Sequence, residues 1–371
     1  MRLLTIGLLL WLSPFLTFAE GSKPRVAVLI SGYGEHGDPS ISYDLEELAQ
    51  SFLVLTKNRV EVDIITPQGG KVLVKTNKDD LPYIQEFKQD TPALKLLNNT
   101  ISAKEAGKNN YQGLFVVGGD GAMFDLPFEP NTQRFIQSFV DNKLPIAAVC
   151  HGPAALVNIT QASGDYYVKG KRINSFTLRE EQAFGKPLLD KFPFMLETEL
   201  KKRGAVFESN APMLPYVAED GNLITAQNPM SVPRAAEALL IKLGITPMDR
   251  KPFKDEATML LLSQARNEGS HIIDIELARK PERYNMNYLA LYGFYAYELA
   301  HGQKDKLIEL DIMARIGQHF SHPKYQEGLI AAYFEQQQEQ KAKAVYNKFR
   351  KQFPDSELSD LLQQRLAIKE E

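Results

Sequence analysis

The chain has 371 residues, 44% of them from the hydrophobic set, with 43 Lys+Arg against 46 Asp+Glu and a single cysteine. That length suits two domains and the apolar fraction is ample for packed cores, while a net charge of -3 lacks the clustered basic excess of a nucleic-acid binder. One thiol excludes any disulfide within the chain and any multi-thiolate zinc site.

The first segment reads as an export signal. Arg2 precedes an apolar run, Leu3–Phe18, and Thr17 and Ala19 before Glu20 suit the small-residue positions of a signal peptidase site. The run is interrupted at Ser13-Pro14 and falls short of the ~20 residues that span a bilayer. An uncleaved anchor is the competing reading. Cleavage after residue 19 predicts an exported protein, periplasmic or secreted, with no membrane contact.

From Arg25 to about Gly244, short β-branched runs alternate with amphipathic stretches. Strands are predicted at Val26–Ile30, Val60–Ile65, Gly113–Val117, Ile146–Val149 and Leu223–Thr225, and helices over Tyr43–Lys57, Asn131–Asn142, Leu188–Arg203 and Val232–Leu243. The first, third and fourth strands are nearly all apolar, as in parallel strands covered on both faces. The alternation predicts an α/β domain over 20–247: an open, mostly parallel sheet with helices on both faces, flavodoxin-like or amidotransferase-like. Ligands bind such sheets beyond the carboxyl ends of the strands. Residues 248–255, with a proline and mixed charge, read as a linker.

After Pro252 the strand signal fades, and 256–371 read as an all-α region. Helices are predicted over Met286–Ala300, Leu307–Gln318, Tyr325–Gln337, Lys341–Gln352 and Ser356–Ile368, broken at His301-Gly302, Ser321-His322-Pro323 and Phe353–Ser356. Leu329, Tyr333, Ala342, Tyr346 and Pro354 have the relative spacing of one tetratricopeptide-type hairpin, which predicts a TPR-like helical-hairpin array, with a plain bundle as the alternative. The series Tyr284, Tyr288, Tyr292, Tyr295 reads as packing between helices.

The octet Ile146-Ala-Ala-Val-Cys-His-Gly-Pro153 is the most informative. A strand runs directly into Cys150, and Pro153 suits the first turn of a helix. Cys150 is therefore expected on a sharp strand-to-helix turn, the layout of a nucleophile elbow. A helix N-terminus and the adjacent His151 would lower the thiol's pKa and favour the thiolate. The competing reading is a buried, inert cysteine.

Val-Cys-His-Gly-Pro, with Gly118-Gly-Asp-Gly-Ala-Met-Phe-Asp-Leu-Pro127 after a strand, resembles the DJ-1/PfpI superfamily and, within it, the Hsp31-like branch of class I glutamine amidotransferase-like folds. Val168–Arg172, Ser175-Phe-Thr177, Glu180-Glu181 and Asp220–Pro229 continue the resemblance, which covers roughly residues 24–244. It implies a glutamate against the cysteine sulfur that handles protons, placed at Glu47 with Glu46 the off-by-one alternative. It implies an acid that orients His151, where Glu181 fits better than Glu180. Gly118 and Gly119 are expected to turn beneath the cysteine, so that the N–H groups of Gly119 and His151 face a developing oxyanion. The Gly-Gly-His-Gly common in this branch is here Gly118-Gly119-Asp120-Gly121, which leaves substrate preference open.

The activity implied is that of glyoxalase III, a lyase of the D-lactate dehydratase type acting on a small aldehyde: methylglyoxal becomes lactate without glutathione or other cofactor. A cysteine hydrolase acting on amides or peptides, and a holdase chaperone or scaffold whose helical tail docks a protein partner, are the alternatives. Homodimers are frequent in the resembling family. No metal is expected, because His319 and His322 lack a ligand set.

Overall fold

The computed structural model describes residues 23–36, 38–74, 78–185 and 187–367; the expected leader, residues 1–19, lies outside them. The strands are β1 Arg25–Leu29, β2 Glu61–Thr66, β3 Ile101–Ser102, β4 Gly113–Val116, β5 Ile146–Val149, β6 Arg172–Ile173, β7 Val206–Phe207, β8 Val217–Asp220 and β9 Leu223–Ala226. Seven form one sheet in the order β3-β2-β1-β4-β5-β9-β8, while β6 and β7 pair separately. Every neighbour in the large sheet is parallel except β8, which runs antiparallel along β9.

The apolar runs at β1, β4 and β5 form the buried middle of this sheet. Alternate side chains of each strand feed opposite faces: Val26 and Val28 join one core, Ala27 and Leu29 the other. The helices Leu45–Lys57 and Val232–Lys242 pack on the first face, and Pro130–Asp141 on the second. Among the described residues no helix is long and apolar enough to cross a membrane.

The expected helix over 188–203 is shorter, Leu196–Lys202. Pro193 interrupts the pattern, because a proline pushes its predecessor out of the helical region. The helices Pro82–Gln89, Thr91–Asn98 and Leu178–Phe184 went unpredicted, as did the edge strands β3, β6, β7 and β8. Strands of two residues are too short to show any period.

The C-terminal region is helical throughout: Lys254–Glu268, His271–Arg279, Met286–Leu299, Gly302–Ile316, Pro323–Glu335, Glu339–Gln352 and Asp360–Ala367. Of the tyrosine series, Tyr284 and Tyr292 are buried in its core, which also takes in Leu214 and Met230 from the α/β part. At the seam, Arg250 binds Glu237 and makes two hydrogen bonds of 2.7 Å to the carboxylate of Glu256, a residue only 2% exposed. Phe253 packs on Tyr83 with ring centroids 4.8 Å apart. Residues 250–255 are thus held against both parts.

Removing Arg250 strands the Glu256 carboxylate in a buried position. Arg250→Ala is expected to lower the unfolding free energy by about 3 kcal/mol in a urea titration followed by circular dichroism. An unchanged midpoint would show that the bidentate pair contributes nothing.

Candidate active site

β5 ends at Val149, and the chain reverses within one residue: Cys150 sits in the left-handed region at φ 55°. A non-glycine residue there is strained. The turn is held by Cys150 N–H donating to the Ala226 carbonyl at 2.8 Å and by Phe176 N–H donating to the Cys150 carbonyl at 2.9 Å. Gly118, at the end of β4, makes the turn possible. A Cβ at Gly118 would stand 2.8 Å from the Cys150 Cβ and 2.8 Å from the His151 nitrogen, so only glycine fits.

Glu47 reaches this point from the first turn of the helix Leu45–Lys57. Asp44 caps that helix, accepting from the N–H groups of Glu46 at 2.7 Å and Glu47 at 3.1 Å. Glu47 Oε2 accepts from the Gly118 N–H at 2.7 Å. Its Oε1 is buried with no hydrogen-bond partner of regular geometry among the described residues, and the group alongside is the Cys150 thiol. Glu46 points elsewhere, to Lys78 and to the Tyr83 hydroxyl.

His151 Nδ1 lies 3.7 Å from Cys150 Sγ, and its Nε2 lies 2.8 Å from Glu181 Oε2. The structure therefore brings Glu181 to the imidazole, whereas Glu180 is spent on structure. Glu180 completes a capping box with Thr177 and accepts from Met213 N–H, Gln227 and Asn228. Phe176 and Phe192 flank the imidazole at 5.0 and 5.8 Å between centroids. Gly185 clears the back of Glu181, since a Cβ there would come within 2.3 Å of its Oε1. Asp120 approaches His151 Nδ1 at 3.9 Å from the other side.

Cys150, His151, Asp120, Phe176 and Glu181 floor a cavity of about 480 Å³ that Glu46, Lys78, Phe184 and Leu188 help to wall, with Glu47 fully buried beneath. Cys150 is only 5% exposed at its base. Gly119 and His151 line the cavity, and neither backbone N–H donates to another described residue. Two such donors beside a thiol can meet an oxyanion. Gly121 sits behind them, its N–H bonded to the Ser42 carbonyl at 2.9 Å.

Burial holds the Glu47 carboxyl well above the usual range, with the Asp44 charge adding to it against the Gly118 N–H. The expected lowering of the thiol's pKa is not found. Burial pushes Cys150 up, and the charges of Glu47 and Asp44 push it further. The turn after Cys150 is a 3-10 segment of five residues, Gly152–Leu156, too short to offer the dipole of a long helix. Two buried acids side by side titrate as a pair, and burial pushes both toward their protonated forms. Burial favours a neutral His151, but the hydrogen bond and charge of Glu181, then Asp120 and Asp44, outweigh it and raise its pKa. Burial also raises Asp120, against the pull of His151.

Asp44, Lys78, Phe192 and Gly185 escaped the reading of the sequence, and Phe176 entered it only within the Ser175-Phe-Thr177 motif. Asp44 alone carried a signal, as an aspartate preceding an apolar helical pattern. His319 lies away from this site, 2.6 Å from Asp274, and His322 caps the helix Pro323–Glu335. Among the described residues no group of three metal-ligating side chains converges.

Residues 42–242 match the family model described as "DJ-1/PfpI family". The chain belongs to the DJ-1/PfpI family. Within it, a probable glutathione-independent glyoxalase of Schizosaccharomyces pombe is 32% identical over 153 residues, 40% of this chain and 69% of that protein. The solved Rapid Encystment Protein of Francisella tularensis is 27% identical with a TM-score of 0.55, covering 59% of this chain and 99% of its own. Glyoxalase III of Candida albicans shares the fold, with 23% identity, a TM-score of 0.53 and coverage of 59% and 97%. The DJ-1/PfpI match stops before the C-terminal helical region, which is an addition to the family domain.

The Glu47–Cys150 pair makes a signed prediction. Glu47→Gln removes the charge that resists thiolate formation, so the pH midpoint for alkylation of Cys150 by iodoacetamide should fall by about one unit or more. A midpoint that stays or rises would show that Glu47 does not bear on the sulfur.

Proposed function

We propose that the protein is a glutathione-independent glyoxalase that converts methylglyoxal-type 2-oxoaldehydes to 2-hydroxy acids. The observation that carries the reading is the contact of two buried acids, Glu47 and Cys150, beside a histidine held by Glu181. The similarity to proteins named glutathione-independent glyoxalases supports it.

The chemistry needs no outside oxidant, because one carbon of the substrate is oxidised as its neighbour is reduced. The Cys150 sulfur attacks the aldehyde carbon, and Glu47 gives its proton to the oxygen that becomes the hemithioacetal hydroxyl. The oxyanion forming in that step faces the Gly119 and His151 N–H groups. Glu47, now a carboxylate, removes the hydrogen from the former aldehyde carbon and returns it to the adjacent carbon through an enediol, while the hemithioacetal hydroxyl proton passes to the former ketone oxygen. The product is a thioester of the 2-hydroxy acid. Water attacks the thioester carbonyl, His151 takes the water's proton, and the departing Cys150 sulfur recovers one. Glu181 keeps the imidazole oriented and stabilises its charged form, the role of the third member of a triad. Substrate and water sum to the hydroxy acid.

Purified protein with methylglyoxal should form lactate, and Cys150→Ala should reduce the rate at least about a thousandfold. Lactate at the uncatalysed background with intact protein, or equal rates for the variant, would sink the proposal. Export is proposed alongside, on the apolar run Leu3–Phe18 and the Thr17-Phe18-Ala19 site. Expressed in a secreting bacterium, the mature protein should begin at Glu20 by N-terminal sequencing, and a retained Met1 would refute cleavage.

A further inference from the structure

The acids that line the cavity are Asp44, Glu46, Asp120 and Glu181. Three of them are engaged. Asp44 accepts from the N–H groups of Glu46 and Glu47, Glu46 meets Lys78 and the Tyr83 hydroxyl, and Glu181 holds His151 Nε2. Asp120 makes no hydrogen bond among the described residues, and its carboxyl approaches His151 only at 3.9 Å between Oδ1 and Nδ1. With 36% of its side chain exposed, it is open to whatever enters. The backbone that carries it is fixed. Gly119, at φ 92°, admits no side chain, because a Cβ there would stand 2.4 Å from the Asp44 nitrogen, and one at Gly121 would meet Ser31 Oγ at 2.6 Å. Asp120 is thus an unengaged carboxyl on a rigid turn, one residue after the Gly119 N–H that faces the oxyanion.

The proposed reaction leaves one proton transfer without a carrier. Glu47 moves a hydrogen between two carbons, but the hydroxyl proton of the hemithioacetal must also reach the former ketone oxygen. His151 offers one nitrogen toward the sulfur, because Glu181 holds the other, and that nitrogen serves the water in the later hydrolysis. A carboxyl can give a proton from one oxygen and take one on the other. We propose that Asp120 is a further catalytic residue, the carrier of the proton that moves between the two oxygens of the substrate. This role rests on the glyoxalase reading.

Asp120 starts the cycle protonated. Burial favours that form against the pull of His151, and the charges of Glu181 and Asp44 add to it. As Glu47 takes the hydrogen from the former aldehyde carbon, the electron pair of that C–H bond becomes the carbon–carbon double bond. The ketone π pair moves onto its oxygen, which takes the Asp120 proton and completes the enediol. Asp120, now a carboxylate, removes the proton from the hydroxyl on the sulfur-bearing carbon. The pair left behind forms the thioester carbonyl, and the double-bond pair takes the proton held by Glu47 onto the adjacent carbon. Asp120 is protonated again, Glu47 is a carboxylate again, and no electrons leave the substrate.

The test is steady-state lactate formation from methylglyoxal by the full-length chain and its Asp120→Asn and Asp120→His variants, with alkylation of Cys150 by iodoacetamide run in parallel. Asparagine fills the same space but cannot exchange a proton, so Asp120→Asn should lower kcat at least about a hundredfold. Histidine, common at this position in the resembling branch, has two nitrogens that take and give protons. Asp120→His should therefore keep kcat within about tenfold of the unsubstituted chain. Iodoacetamide should alkylate Asp120→Asn at least as fast as the unsubstituted chain, because removing a negative charge does not oppose the thiolate. A smaller fall in Asp120→Asn, or a kcat for Asp120→His as low as that of Asp120→Asn, would overturn the proposal. So would loss of alkylation together with loss of lactate, the mark of a damaged site rather than of a missing proton carrier. Lactate at background from the unsubstituted chain sinks the glyoxalase reading and the role of Asp120 together. Lactate from the unsubstituted chain with an undiminished Asp120→Asn rate sinks the role of Asp120 alone.

Discussion

The site depends on a single strained residue. Cys150 occupies a left-handed backbone conformation at the end of β5, and the neighbouring strand can tolerate it only because Gly118 has no side chain to collide with it. From that fixed point the rest follows by contact. Gly118 donates to Glu47, which places a carboxyl against the sulfur, and the next residue after the cysteine is the imidazole that Glu181 orients. Strain of this kind, of order 1–3 kcal/mol, persists only where the surroundings over-determine it. Here the surroundings are the β5–β9 ladder below and the Phe176 amide above.

The electrostatics divide the buried acids by task. Glu180 is saturated with donors and serves as a structural tie. Glu181, one residue later, keeps one oxygen for His151 and leaves the other without a partner among the described residues. The same contrast holds for the adjacent pair on the first helix, where Glu46 faces a lysine and a phenol and Glu47 faces a thiol. Successive residues on a helix point about 100° apart, so a neighbouring pair can serve two environments without compromise.

Much of this was legible in the chain itself. β1, β4 and β5 announce themselves as apolar runs because parallel strands are covered on both faces, and the Cys-His-Gly-Pro turn after β5 follows from the residue types alone. The choice between Glu46 and Glu47, or between Glu180 and Glu181, was not open to periodicity, since a one-residue offset changes what a side chain meets without changing the pattern. The direction of the thiol's shift was misjudged for a related reason. Proximity to a helix start is visible in sequence, whereas complete burial beside a carboxyl depends on a helix about a hundred residues upstream. Helix 188–203 failed at Pro193, and β6 and β7 were too brief to leave a signature.

The seam between the two parts has a consequence for how such a chain can be rearranged. Leu214 and Met230 are completed as core by the helical region, Tyr83 donates a hydrogen bond to its Asp255, and Glu256 finds its cation in Arg250 on the connecting stretch. A chain ending at residue 253 would expose two apolar side chains to water and take Asp255 from the Tyr83 hydroxyl and Glu256 from Arg250. The boundary of the family match, residue 242, is therefore not a boundary of the folded unit. Recombination that borrowed this α/β domain without its appendage would inherit an unfinished surface beside the cavity.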